Sequence, residues 1–341
     1  MPSRRDFLKV GAFAVAGSVA APFVVSPARA QAINLKIQGF LPAASPTHKA
    51  LEKFGADIGS KSGGRLAIQT LPGGAAVGVT ESLNAVQAGI LDGHYTAASY
   101  FAAKDPAFIV FGDTGASYND VETRDRWYAE GGGAELGAEL YGKYGMVYVG
   151  NVFWPSEQIP TRKPLRSFSD LNGLKIRVPP GMIAEILSAS GAAVVNLPGG
   201  EVFNALQSGV IDATDWASPS QNYDVGLYKA AKFSVYAAHS MAGTEVCIAK
   251  RAWDRIPADL QAMIREEVKA MSANLKASLK EQDAAAVAKY KAEGVEEIIW
   301  SAAEIGKLRE NSSKIQDQIG AKSDLAKKIV DSHRTFQKKI A

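Results

Sequence analysis

Arg177 is the residue whose chemistry reads most directly. It ends the run Leu174-Lys175-Ile176, which reads as a short strand, so its guanidinium stands near a strand end, where α/β sheets keep their ligands. A planar guanidinium can hold a carboxylate through two parallel hydrogen bonds. A surface ion pair is the plainer use of the same side chain. A second group is Asp215-Trp216, an acid and an indole just beyond another short apolar run. A third is aromatic: Tyr95, Tyr100 and Phe101, preceded by His94 and joined by Phe40 at the end of the first apolar run. These rings either wall a pocket or pack a core. His239 reads first as a satisfied loop histidine, and His48, His94 and His333 show no metal spacing.

The elements that position these residues show themselves through a self-similarity. Asn84-Ala85-Val86-Gln87-Ala88-Gly89-Ile90-Leu91-Asp92-Gly93 resembles Asn204-Ala205-Leu206-Gln207-Ser208-Gly209-Val210-Ile211-Asp212-Ala213, and a Leu-Pro-Gly-Gly precedes each copy, at Leu71 and at Leu197. Two matching runs so far apart predict two equivalent supersecondary units and not a solenoid. Each unit reads as strand, Pro-Gly-Gly turn, helix and strand. The helical spacing is Leu83, Val86, Ile90 in one and Val202, Leu206, Val210 in the other. Gly89 and Gly209 suit the left-handed position that ends a helix. By the symmetry of the repeat, Tyr95 stands where Asp215 stands in the other unit.

The rest of the chain extends this pattern. Ile33 to Phe40 reads as a strand and Pro46 to Lys61 as a helix, which gives β-α-β-α-β for the first unit; Leu174 to Val178 and Met182 to Ser190 open the second unit alike. Leu260, Ile264, Val268, Met271, Leu275 and Leu279 form one apolar stripe, which predicts a helix from about Ala258 to Glu293, long enough to brace both units. Gly294 ends it, Val295 to Trp300 reads as a strand, and Ser301 with Glu304 forms a capping-box pattern before further helices. The fold class expected is α/β: two lobes facing one cleft, with a long bracing helix and a helical C-terminus.

Charge and composition exclude several functions. Residues 1–30 hold Arg4, Arg5, Lys9 and Arg29 against Asp6, and beyond them 34 basic and 34 acidic side chains balance, so no basic arm remains for nucleic acid. Cys247 is the single cysteine and lies in an apolar run, so it reads as a small buried hydrophobe. No GxSxG elbow, HExxH or dinucleotide fingerprint is found, and Gly131-Gly132-Gly133 lacks the Lys-Ser/Thr of a phosphate loop. Those glycines read as a turn or a close helix contact. Arg4-Arg5-Asp6-Phe7-Leu8-Lys9, the weakly apolar stretch to Val25, and Ala28-Arg29-Ala30 read as a twin-arginine (Tat) signal peptide over residues 1–30. The chain beyond it is expected in the periplasm.

Asp170-Leu171-Asn172-Gly173-Leu174-Lys175-Ile176-Arg177-Val178-Pro179 resembles the D-L-x-G-L-K-[IM]-R signature of the solute receptors of TRAP transporters, the DctP-like family. Leu197-Pro198-Gly199-Gly200-Glu201 through Ala213 resembles its second signature. Lys104-Asp105-Pro106-Ala107-Phe108, Trp127-Tyr128-Ala129-Glu130-Gly131 and Asp212-Ala213-Thr214-Asp215-Trp216 are similar to the branch that binds 2-oxo acids and lactate.

The resemblance implies a non-catalytic periplasmic receptor for a small organic acid, a 2-oxo or 2-hydroxy acid first and an aromatic carboxylate second. Such a receptor delivers its ligand to the small and large membrane subunits of a TRAP transporter. It implies that Arg177 holds the ligand carboxylate. It also implies that Na+ or Ca2+ bridges that carboxylate to Gln158, Asp215 and the carbonyl of Trp216, although the branch has Glu where this chain has the shorter Asp215. No other cofactor is required. Asn151 and Trp154 compete with Gln158 for its role, Phe40, Tyr95, Tyr100 and Phe101 would wall the opposite side, and some relatives carry a ligand-contacting histidine near His239. Some relatives also form a homodimer through their last helices. The lobes expected are 31–154 with a returning segment near 244–290, and 155–243, followed by the C-terminal strand and helices of 291–341. Hinge bending is expected near Phe153–Pro155 and Ala237–Gly243. A Tat-exported enzyme acting on a small acid, and a receptor for an ABC transporter or a sensor kinase, stay open at this point.

Overall fold

The computed structural model describes residues 32–340, so the leader expected over residues 1–30 lies outside the described residues. Strands β1 to β4 are Ile33–Gln38, Leu66–Leu71, Gly93–Thr96 and Met146–Val152. Strands β5 to β9 are Ile159–Thr161, Lys175–Arg177, Ala193–Val195, Ala213–Thr214 and Phe233–Tyr236; β10 is Thr244–Ala249 and β11 is Glu296–Ile299. They form two sheets, ordered β2-β1-β3-β10-β4 and β11-β9-β5-β8-β6-β7. The internal repeat is visible in this order. β1 lies between β2 and β3, parallel to both, as β6 lies between β7 and β8. Each trio is then extended by an antiparallel strand, β10 beside β3 and β5 beside β8. We call the halves the first and second lobes.

The repeated sequence does the same local work twice. Helices Ser82–Gln87 and Val202–Ser208 end ahead of Gly89 and Gly209, both at φ 80°. In that left-handed region a side chain is strained. At Gly209 it would also strike the Arg162 guanidinium, 2.4 Å from an added Cβ. The turn redirects the chain, so Ile90 and Val210 do not continue the buried stripe as their spacing suggested: they are 52% and 57% exposed, while Leu91 and Ile211 behind them are buried. The next residue, Asp92 or Asp212, pins the neighbouring strand. Asp92 Oδ2 accepts from the Lys36 amide at 3.0 Å and Asp212 Oδ2 from the Lys175 amide at 3.2 Å.

Helix Ala258–Ala292 runs 35 residues and packs on both lobes. Arg265 donates to the carbonyls of Tyr148 and Val149, and Ser272 Oγ accepts from the Phe153 amide. Further along, Asp283 accepts from the hydroxyls of Ser218 and Ser220 in the second lobe. β11 joins the edge of the second sheet. The capping box at Ser301 is half formed: its hydroxyl accepts from the Glu304 amide, but Glu304 accepts instead from the amide of Phe168. Helix Ala302–Gly320 touches both lobes, and helix Asp324–Ile340 turns its apolar face onto the first, where His333 stacks on Trp127 at 3.6 Å. Gly131 and Gly133 let two helices meet against Trp127; a Cβ on either would fall within 2.8 Å of its ring. Cys247 is fully buried in β10.

Candidate functional site

A cavity of about 760 Å³ opens where the C-terminal ends of β1, β6 and β8 converge, within the roughly 300–1,000 Å³ of small-molecule sites. Both Pro-Gly-Gly turns border it. Small residues are required there: a Cβ on Gly73 would lie 2.5 Å from the Phe40 carbonyl oxygen, and one on Gly199 would lie 3.0 Å from the Trp216 ring.

Arg177 ends β6 and is 6% exposed. Its Nε donates to the Leu197 carbonyl and its Nη1 to the Asp215 carbonyl, both at 3.2 Å, and its guanidinium lies 5.3 Å from the Trp216 ring centre. Nη2 has no hydrogen-bond partner among the described residues. A buried cation held only by carbonyls and an indole face has strong affinity for an anion.

Three carboxylates share the cavity wall: Asp113, Glu157 and Asp215. Asp215 Oδ1 lies 2.8 Å from His239 Nε2. Glu157 Oε1 accepts from the Trp154 indole at 2.7 Å. Asp113 Oδ2 accepts from Ser240 Oγ and its Oδ1 from the Gly115 amide, both at 2.7 Å. Burial pushes Asp215 up to about 6, against the pull of the neighbouring Glu157 carboxyl and of the Arg177 charge. Burial likewise pushes Asp113 up to about 7, and burial together with the Asp215 charge lifts Glu157 well above the carboxylate range. Burial lowers His239, opposed by Glu157 and Asp113. One guanidinium therefore faces more acid than it can neutralise. Ligand atoms of Glu157, Asp215 and His239 lie within 4.8 Å of one another. Two hard carboxylates so placed suit Na+ or Ca2+.

Two short segments cross between the sheets, residues 153–158 from β4 to β5 and residues 237–243 from β9 to β10, and Trp154, Glu157, Ser240 and Ala242 on them line the cavity. Buried Arg124 clamps both: it donates to the carbonyls of Met241 and Ala242 on one and of Trp154 on the other. Ala238 holds φ 47°, a left-handed conformation unfavourable for alanine, directly before His239.

Of the residues singled out from sequence, Phe40, Tyr100, Trp154, Arg177, Asp215 and Trp216 line the cavity. Tyr95 does not; it is fully buried, edge-on behind Phe40 at 5.4 Å. Phe101 packs in the core of the first lobe, stacked on His94. Asn151 sits in β4 opposite Glu245, away from the cavity. Gln158 turns into the second lobe, where its Oε1 accepts from Tyr228 and Ser234. Successive side chains of an extended segment alternate, so its neighbour Glu157 takes the cavity side and replaces it in the carboxylate cluster. His239 backs Asp215 without lining the cavity. Sequence reasoning missed Asp113 and Glu157. Glu157 lay one residue from the glutamine chosen. Asp113 follows helix Pro106–Gly112 and carries no local motif.

The model of the bacterial extracellular solute-binding protein family 7, DctP, matches residues 37–323. A relative from Nostoc, described as a monocarboxylate 2-oxoacid-binding periplasmic protein, is 27% identical over 313 residues, 88% of this chain and 82% of its own. A crystal structure of a TRAP periplasmic solute-binding protein from Rhodobacter sphaeroides is 34% identical, covers 90% of this chain and 98% of its own, and superposes with a TM-score of 0.74. Another from Colwellia psychrerythraea, with bound calcium and pyruvate, is 22% identical over 91% of this chain and 95% of its own, with a TM-score of 0.80. These are solute receptors and not enzymes, and this chain belongs to the DctP family of bacterial extracellular solute-binding proteins.

Proposed function

We propose that this protein captures a small 2-oxo or 2-hydroxy acid in the periplasm and delivers it to the small and large membrane subunits of a TRAP transporter. The observation that carries the reading is Arg177, a buried guanidinium on the cavity wall with one nitrogen left unengaged. It takes the ligand carboxylate. Glu157 and Asp215 hold a Na+ or Ca2+ beside it, and the Trp216 carbonyl completes their side. A cation there would offset the surplus acid and attract the ligand carboxylate. The calcium and pyruvate of the Colwellia protein and the sodium and pyruvate of a receptor from Pseudoalteromonas atlantica support this arrangement. Phe40, Tyr100 and Trp154 exclude water from the ligand's apolar end.

Closure is by bending at the two crossing segments while each sheet stays rigid. The twin arginines Arg4 and Arg5 support export of the folded chain by the Tat route. A thermal-shift screen of small carboxylates, run with calcium and with a chelator, tests the reading. We expect stabilisation by short 2-substituted acids that weakens when the cation is removed. Stabilisation by sugars or amines alone, with no acid effective, would sink it.

A further inference from the structure

We infer that Asp113 sets the specificity of the cavity, favouring an acid with a hydrogen-bond donor on the carbon next to its carboxylate, such as a 2-hydroxy acid, over the 2-oxo acid of the same shape. The inference rests on the reading that Arg177 holds the ligand carboxylate.

Asp113 is the carboxylate that the first lobe contributes to a cavity whose other two acids come from the crossing segment and the second lobe. It is 5% exposed. Its position is fixed from both sides, by the Gly115 amide on Oδ1 and the Ser240 hydroxyl on Oδ2. Both groups donate, so the ionised carboxylate that prevails at pH 8 is held in an accepting role and has only lone pairs to offer a ligand. In the proposed site Glu157 and Asp215 are taken up by the cation, beside which their ligand atoms already cluster. Asp113 is thus the third acid on the cavity wall, left to meet the ligand itself.

A 2-oxo oxygen has no hydrogen. Against Asp113 it sets two desolvated acceptors face to face, and neither recovers the hydrogen bond it made to water. A 2-hydroxyl supplies the missing proton, and a cation on its oxygen makes it a stronger donor. A site built to receive a hydroxyl rejects the analogue that lacks it by far more than a shape mismatch does.

The test is calorimetry at pH 8 with fixed calcium, on two matched pairs: lactate against pyruvate, and mandelate against phenylglyoxylate. The wild-type protein should bind the hydroxy acid of at least one pair roughly tenfold or more tightly. Asp113→Asn turns an amide donor toward the ligand and should narrow or reverse that ratio, with the ligand-free melting temperature recording that the fold is kept. Equal or tighter binding of the oxo acids by the wild type overturns the inference without any variant, as does a ratio unchanged in a folded Asp113→Asn. If no acid of either pair binds while other carboxylates do, the specificity inference falls and the acid-receptor reading stands. If no carboxylate binds at all, both fall.

Discussion

The two repeated units begin alike and end differently. Each runs from a strand through a Pro-Gly-Gly turn and a short helix to a left-handed glycine and an aspartate that pins the neighbouring strand. Three residues past that aspartate they part. The first unit reaches Tyr95, which is fully buried and supports the aromatic wall of Phe40. The second reaches Asp215, which lines the cavity, takes His239 on its side chain and gives its carbonyl to Arg177. A common scaffold thus provides one mostly apolar wall and one charged wall. Repetition conserves the frame, and the residue at the strand's outward end decides the chemistry.

The largest effect should come from the charged wall. Arg177→Met should weaken acid binding by several hundredfold in calorimetry, since truncating a buried charge partner costs roughly 2–5 kcal/mol, and should cost the ligand-free fold less than the same change at Arg124, since Arg177 bonds two carbonyls where Arg124 bonds three. The second buried arginine is the control. Arg124 gives its donors to carbonyls of both crossing segments, so Arg124→Met should lower the unfolding free energy in urea by about 3 kcal/mol. A loss of affinity without a loss of stability at Arg124 would erase the distinction between a binding and a clamping arginine.

The repeat-equivalent pair sharpens the comparison further. Asp215→Asn should remove the calcium dependence of binding and weaken affinity by roughly tenfold, about 1.4 kcal/mol. Tyr95→Phe should leave affinity within about twofold and cost less than about 1 kcal/mol of stability, since it loses only a long contact with Thr244. The smallest effect concerns an acid in the interior of the first lobe. Glu245 is fully buried against Tyr141, and burial lifts it well above the ordinary carboxylate range. Its protonated form is favoured by folding, so the stability it contributes is present at acid pH and is lost as pH rises toward that raised value. The melting temperature of Glu245→Gln relative to wild type should therefore rise from pH 5 to pH 8.

Most of the frame was legible in the sequence because short-range rules govern it. Helix Pro46–Lys61 begins and ends where proline and periodicity put it, with Ser45 accepting from the His48 amide as its cap. The long helix stops within one residue of its expected end. Ile90 and Val210 misled because their spacing fits a helix that the following glycine geometry had already ended. The site was less legible. Arg177 and Asp215-Trp216 stand at strand ends beside repeated motifs, whereas Asp113 and Glu157 reach the cavity only through long-range convergence of a helix end and a crossing segment. Between Glu157 and Gln158, the alternation of an extended chain set the choice, and its phase depends on how the segment pairs with the second lobe.

The 35-residue helix Ala258–Ala292 also governs how the molecule comes apart. It packs on helix Pro46–Lys61 and β4 of the first lobe, and its far end is tied to Ser218 and Ser220 of the second by Asp283. Neither half can melt without stripping part of this shared rod into water, so the folding units are coupled even though their sheets are separate. Heating should yield a single calorimetric transition, and a fragment ending before residue 258 should not hold its shape.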